Sequence, residues 1–207
     1  MKGTAGPSLP PSLLVVQQAT RAHQRVHGCS AHTFEDGAGL WQLVAAHQPR
    51  RVLELGTGLG YTASLMALAS PHAFVQTLEG DAQHAALARQ HIAQLGLQQR
   101  VQLHEGSFSV TLPALELAPG SLDLVFFDGN MPAFVLLQHF QTLLAPCGLL
   151  VCANLELNGP QGARRAKAEL NDPARWQRLP GLENGLTWVA RKTGDAALQH
   201  EVAQSGP

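Results

Sequence analysis

The sequence carries little charge and has no excess of either sign. Only 14% of its 207 residues are charged, and 14 basic residues nearly balance 15 acidic ones, which gives a formal net charge of −1. Proteins that bind nucleic acid usually carry a basic excess or a basic patch. The composition therefore gives no support to a nucleic-acid partner.

Cysteine is scarce, and long apolar runs are absent. The three cysteines, Cys29, Cys147 and Cys152, form no C-x-x-C pair, and a sparse, odd set favours reduced thiols in the cytoplasm. The first residues lack the basic and apolar segments of a signal peptide. No apolar run approaches the length of a membrane span. We expect a cytoplasmic protein without membrane contact, in one domain with a sizeable core.

The most informative stretch is a glycine turn between a predicted strand and a predicted helix. A short apolar run over 51–55 reads as a buried strand, and Gly56, Gly58 and Gly60 follow at alternate positions before a helix that starts at Tyr61. The spacing matches neither a dinucleotide G-x-G-x-x-G fingerprint nor a P-loop. Such a strand–turn–helix junction places a helix N-terminus beside glycine backbone without side chains, where an anion or a carboxylate can bind to the amide groups.

Strands and helices alternate along the rest of the chain. Strands are predicted at 51–55, 74–79, 101–104, 122–128, 148–154, 176–180 and 186–191, and helices at 13–26, 37–47, 61–68, 82–95, 112–117, 132–144 and 162–170. This order predicts an α/β fold: a doubly wound, mostly parallel, seven-stranded Rossmann-like sheet that closes with a C-terminal antiparallel hairpin. Ligands of such sheets bind beyond the carboxyl ends of the strands. Polar residues follow those ends at Glu54, Glu79, Ser107, Asp128 and Asn154.

Three segments are expected in this one domain. Residues 1–48 form a helical segment that either covers the ligand site or makes a homodimer contact. Residues 49–192 form the core, and residues 193–207 form a loose tail. Glu79 ends the second strand, where a carboxylate can accept hydrogen bonds from both ribose hydroxyls. Asp81 can cap the helix that follows.

The E-x-G-x-G-x-G motif beginning at Glu54 resembles the first motif of class I S-adenosylmethionine (SAM)-dependent methyltransferases. The order of elements over 13–191 resembles the catechol and caffeoyl-CoA type of O-methyltransferase in particular. The resemblance implies SAM as cofactor, with Glu54, the glycine turn and Thr62 at its methionine end, Glu79 at the ribose and Gly106-Ser107 at the adenine. The expected cofactor residues are Glu54, Gly56, Thr57, Gly58, Gly60, Tyr61, Thr62, Glu79, Gly80, Gly106, Ser107, Phe108 and Asp128.

The metal site of that family is degraded in this sequence. Asp128 matches one metal ligand, but the Asp-Asn pair after the fifth strand reads Ala153-Asn154. Met131 stands where the family places a lysine that is its expected general base. Since Mg²⁺ favours oxygen ligands with carboxylate charge, we assign no metal ligands.

These observations favour SAM-dependent methylation of a small molecule, at oxygen and without dependence on a metal. Asp128 is the candidate catalytic residue, as a base or as a group that orients the acceptor, although it can equally be a cofactor ligand or a cap. His32 and His139 are lesser candidates. The alternative is a SAM-binding fold with a scaffold or regulatory role. A nucleic-acid or protein methyltransferase lacks support because no basic patch and no N/D-P-P-Y-type motif is present.

Overall fold

A computed structural model of the chain describes residues 9–29, 32–129, 133–153 and 155–194. One seven-stranded sheet runs through this part of the chain. The strands are β1 (Arg51–Leu55), β2 (Phe74–Glu79), β3 (Val101–Glu105), β4 (Leu122–Phe127), β5 (Leu144–Cys152), β6 (Trp176–Leu182) and β7 (Thr187–Lys192). The α-helices are α1 (Pro11–His27), α2 (Gly37–His47), α3 (Tyr61–Ala69), α4 (Ala82–Gln94), α5 (Phe108–Ala114), α6 (Ala133–Leu143) and α7 (Gly159–Leu170).

The sheet has the predicted topology. Its strand order is β3-β2-β1-β4-β5-β7-β6. The first five strands pair in parallel, while β7 is antiparallel to both β5 and β6. The α/β class, the doubly wound sheet and the closing hairpin are therefore confirmed. The carboxyl ends of β1, β2 and β4 lie side by side, because β1 pairs with both of the others.

Both faces of the sheet are buried, as expected for parallel strands covered by helices. Alternate side chains of β1 and β4 enter two different clusters. Val52 and Phe126 pack towards the face covered by α1, α2 and α3, whereas Leu53 and Phe127 pack towards the face covered by α6 and α7. Leu13 of α1 is fully buried in the first of these clusters. The segment before the first strand thus contributes directly to the core.

The largest differences from the predicted element boundaries are found at α5 and β5. The helix expected at 112–117 is instead α5, which starts at Phe108 and ends at Ala114. The amides of Val110 and Thr111 donate to the carbonyl of Ser107, so the helix begins directly at the β3 turn and Pro113 stands in its last turn. The strand expected from Gly148 begins earlier, because Leu144 already pairs with Leu122 ahead of an irregularity in the ladder.

No helix in the described part of the chain is both long and apolar enough to cross a membrane.

Candidate functional site

A cavity of about 490 Å³ opens where β1, β2 and β4 end. Its volume lies in the range typical of small-molecule sites. The residues that line it are Thr20, His32, Thr33, Phe34, Gly56, Thr57, Gly58, Leu59, Tyr61, Thr62, Glu79, Gly80, Asp81, His84, Ser107, Phe108, Ser109, Asp128 and Gly129. Every expected cofactor residue except Glu54, Gly60 and Gly106 is among them. The structure thus brings together residues that are widely separated in sequence.

The glycine turn is shaped by close approaches of backbone. Gly56 has a φ of +99°, and a Cβ placed there would lie 2.4 Å from the carbonyl oxygen of Asp128. Only glycine fits this contact between the β1 and β4 ends. A Cβ on Gly58 would meet no atom within 4 Å, so the middle of the turn is open, and its amide donates to Oε2 of Glu79 at 2.8 Å. The turn therefore leaves its backbone facing the cavity.

Glu54 is not on the cavity wall but fully buried beneath it. The hydroxyls of Thr62 and Thr77 donate to its two carboxylate oxygens, and Thr57 contacts the hydroxyl of Thr77. Burial raises the pKa of Glu54 to about 7. The two hydrogen bonds from the threonine hydroxyls lower the pKa, but their effect is smaller than that of burial. The nearby carboxylates of Asp128 and Glu79 raise it further. Near neutral pH this carboxyl is therefore poised to gain or lose a proton.

Glu79 faces the cavity from the end of β2. Its Oε1 accepts from the amide of Asp81 at 2.9 Å and lies 3.9 Å from Nδ1 of His84. Together with the hydrogen bond from the Gly58 amide, these contacts hold the Glu79 carboxylate in place, and the side chain still lines the cavity. Asp81 accepts from the amides of Gln83 and His84, which confirms that it caps α4.

The N-terminus of α3 also points at the cavity. Gly60 precedes the helix in a left-handed conformation, and no side chain of the described residues caps it. The first amides of a helix have no partners within it, so this end attracts an anion. The hydroxyls of Tyr61 and Thr33 are buried without a hydrogen-bond partner among the described residues. Burial raises the pKa of Tyr61 to about 12, which keeps its hydroxyl protonated as a donor.

The β3 end supplies a flat apolar surface. Gly106 has a φ of +141°, donates its amide to the carbonyl of Glu79 and turns the chain towards α5. Phe108 lies against the backbone after β4, since a Cβ on Gly129 would come within 2.3 Å of its ring. Ser107 and Phe108 therefore reach the cavity from a strand two positions away from β1.

Asp128 follows β4 and lines the cavity, and its amide donates to the carbonyl of Leu55 at 2.9 Å. Ala153 lies beside the β4 end, where its amide donates to the carbonyl of Phe127, and it is 2% exposed. Its methyl group offers no metal ligand. Among the described residues, the site therefore keeps Asp128 and lacks a carboxylate at position 153. Asn154 and Met131 lie outside them.

Part of the wall comes from a segment for which the sequence carries no motif. Thr20 of α1 and the residues Thr33 and Phe34 line the cavity, and His32 lies beside them. Phe34 is held by an edge-to-face contact with Phe126, with ring centroids 5.4 Å apart. The sequence predicted that residues 1–48 either cover the ligand site or make a homodimer contact, and it offered His32 as a lesser candidate, but no motif pointed to Thr33 or Phe34. His139, the other histidine considered, is exposed on α6 and does not line the cavity.

Comparison with known proteins identifies the family. A family model described as a methyltransferase domain matches residues 53–155. A catechol O-methyltransferase of Mycobacterium tuberculosis is 35% identical over 174 residues, which are 80% of this chain and 77% of that protein. The chain belongs to the SAM-dependent O-methyltransferases. A catechol O-methyltransferase of Niastella koreensis is 35% identical over 150 residues, which are 65% of this chain and 67% of that protein.

Solved structures agree with this assignment. A crystal structure of a putative O-methyltransferase from Klebsiella pneumoniae superposes with a TM-score of 0.75 at 26% identity, covering 90% of this methyltransferase and 92% of that chain. The class I fold and the enzyme class expected from the sequence are confirmed, with SAM as the cofactor.

Proposed function

We propose that this methyltransferase transfers the methyl group of SAM to an oxygen atom of a small acceptor, without a divalent metal at Asp128. The observation that carries the proposal is the convergence of Glu79, Asp128 and the uncapped α3 N-terminus on one cavity. Such a mixed set suits a ligand that carries both cationic and anionic groups.

The lining chemistry fits the cofactor. The free amides at the start of α3 suit the carboxylate of the methionine part, while the Thr62 hydroxyl is held by Glu54 beneath the turn. Asp128 and the negative field of Glu54 beneath the turn suit its ammonium and sulfonium charges. Glu79 suits the ribose hydroxyls, while Ser107 and Phe108 suit the edge and face of the adenine.

When bound, SAM supplies a methyl group on a sulfonium, an activated leaving group for in-line displacement by a nucleophile. The chain then has to hold the acceptor oxygen in line and exclude water. Asp128 can accept the acceptor's proton or a hydrogen bond from it, and the wall formed by Thr33 and Phe34 can confine the acceptor. Phe34 is 4% exposed, so this wall is well packed.

The acceptor class is inferred from two positions at which this site differs from that of the catechol O-methyltransferases. The names of two relatives indicate catechol as their acceptor. Here Ala153 and Met131 stand where that type of site carries a metal ligand and a lysine. An acceptor whose hydroxyl is already acidic, such as a carboxylic acid or a phenol with electron-withdrawing substituents, needs less help with deprotonation. We therefore propose such an acceptor rather than a metal-chelating catechol.

The proposal is tested by calorimetry with SAM and S-adenosylhomocysteine, followed by a methyl-transfer assay on phenols, carboxylic acids, amines and thiols. Binding together with transfer to an oxygen nucleophile supports the proposal. Binding without transfer to any acceptor would favour the scaffold alternative instead. Absence of cofactor binding by folded protein would overturn both.

Replacing Asp128 with asparagine is expected to lower kcat by about 100-fold, because the amide can neither accept a proton nor balance the cofactor's positive charge. The control is Glu105→Gln, which removes an exposed carboxylate at the β3 end that does not line the cavity. Kinetics of both variants at saturating SAM provide the measurement. An Asp128→Asn enzyme with the wild-type rate would leave Asp128 only a structural role.

Addition of Mg²⁺ to protein dialysed against EDTA is expected to change the methyl-transfer rate by less than about twofold, since Ala153 supplies no ligand. The comparison is made at several Mg²⁺ concentrations with the same acceptor. Restoration of activity by Mg²⁺ of about tenfold or more would contradict a metal-independent reaction.

A further inference from the structure

Three side chains with metal-binding atoms meet beside the cavity. His23 lies on α1, Cys29 follows the end of that helix, and His84 lies in the first turn of α4. Their ligand atoms all lie within 4.8 Å of one another. None of the three is an expected ligand of the family's metal, whose position is at Asp128. Two imidazoles and a thiol form a donor set that suits Zn²⁺ rather than Mg²⁺.

The local fold explains why these residues meet. Helix α1 ends at Gly28, which has a φ of +59° and donates its amide to the carbonyl of Gln24. A left-handed residue at this point turns the chain back on the helix, and Cys29 then lies beside His23. The Asp81 cap holds the first turn of α4, and with it the backbone of His84.

His23 of the cluster has a buried nitrogen, Nε2, without a hydrogen-bond partner among the described residues. Its ring instead packs on His27 and meets His84 edge-on, with centroids 4.4 and 5.2 Å apart. Leaving a buried nitrogen without a partner is energetically unfavourable. A metal ion would use the lone pair that the protein leaves unused.

A carboxylate lies close to one of the candidate ligands. Oε1 of Glu79 is 3.9 Å from Nδ1 of the buried His84. Carboxylates near ligating histidines are a common feature of metal centres, where they orient the imidazole ring.

We propose that His23, Cys29 and His84 bind one Zn²⁺ ion, with a fourth position open to water. The Cys29 thiol gives up its proton to solvent as its sulfur bonds to the metal. Tetrahedral coordination places the donor atoms roughly 3.3–3.8 Å apart, so the cluster must contract by about 1 Å. Rotation of the half-buried His23 and Cys29 side chains can supply this movement.

Such an ion would fasten the end of α1 to the start of α4. The chain that runs from Cys29 into α2 carries Thr33 and Phe34, which line the cavity, and His84 lines it as well. The ion would therefore fix the cavity wall that faces the proposed acceptor. The proposal does not depend on methyl transfer, because binding is measured directly.

The test is a titration of the full chain, stripped with EDTA and dialysed, with Co²⁺ as the spectroscopic substitute for Zn²⁺. We expect one equivalent to bind, with a thiolate-to-cobalt charge-transfer band that Zn²⁺ abolishes by displacement. The Cys29→Ser variant should lose the band. The matched control, Cys147→Ser, removes an exposed cysteine on β5 and should keep it.

A second readout covers the case in which Cys29→Ser does not fold. Zn²⁺ should slow alkylation of Cys29 in the wild-type protein by about tenfold or more, while alkylation of Cys147 should keep its rate. His84→Gln should weaken Co²⁺ binding by about tenfold or more. The proposal is overturned if folded wild-type protein shows no charge-transfer band, if the band persists in Cys29→Ser, or if Zn²⁺ leaves Cys29 alkylation unchanged.

Discussion

Replacing Gly56 with alanine is expected to abolish SAM binding and to lower the free energy of unfolding by about 3 kcal/mol. The added Cβ would lie 2.4 Å from the Asp128 carbonyl oxygen, which is backbone and cannot rotate away. The φ of +99° is also strained for any residue with a side chain. Strain and a forced backbone shift each cost of order 1–3 kcal/mol, and the shift would separate the β1 turn from Asp128.

Gly96→Ala is the matched control for this experiment. Gly96 also has a positive φ, +69°, but a Cβ there meets no atom within 4 Å and the residue is not on the cavity. Its replacement should cost only about 1 kcal/mol and leave SAM affinity unchanged. Thermal unfolding and calorimetry of both variants provide the comparison. If Gly56→Ala binds SAM like the wild type, the turn does not have the geometry described here.

Replacing Glu54 with glutamine is expected to act in opposite directions on stability and on cofactor affinity. The pKa of Glu54 is raised from 4.5 to about 7 in the folded protein. Below pH 4.5 the carboxyl is protonated in both the folded and unfolded states and contributes no pH dependence. Between pH 4.5 and about 7 the unfolded chain loses this proton while the folded protein keeps it, so stability falls by about 3 kcal/mol in all and is constant above about pH 7.

The Glu54→Gln variant should therefore unfold at a higher temperature than the wild type at pH 8, with little difference at pH 5. The ionised form of Glu54 should favour the cationic cofactor, so wild-type SAM affinity should increase as pH rises through about 7. Binding at pH 7 should release a proton, which calorimetry in buffers of different ionisation enthalpy detects. The variant should lose both effects. Equal pH dependence of SAM affinity in wild type and variant would contradict a role for the Glu54 charge.

The sequence was sufficient to predict the parts of the site that rest on backbone geometry. Gly56 is required by a close approach at the end of a buried strand, and such constraints leave a motif. Glu79 and Asp128 could be placed because the carboxyl ends of neighbouring parallel strands meet at one edge. Glu54 was predicted among the cofactor residues, but its burial beneath the cavity, under Thr62 and Thr77, depends on side-chain packing that no motif encodes.

The sequence offered residues 1–48 as a possible cover of the ligand site, but it could not predict which of their side chains form the cavity wall. Thr33 and Phe34 belong to an irregular segment, and only tertiary contacts such as that of Phe34 with Phe126 bring them to the strand ends. His23 and His27 stand one helical turn apart, which is visible in the sequence, but their approach to His84 depends on how α1 packs. The start of α5 was predicted at residue 112 instead of Phe108, because the helix begins directly at the β3 turn, where the amides of Val110 and Thr111 donate to the carbonyl of Ser107.

The most direct test of the account is a crystal structure of the methyltransferase with S-adenosylhomocysteine. The account predicts electron density within the cavity, with the ribose hydroxyls at Glu79, the adenine against Phe108 and the amino-acid carboxylate at the first amides of α3. Density at another surface, or a cavity that stays empty at saturating ligand, would contradict it.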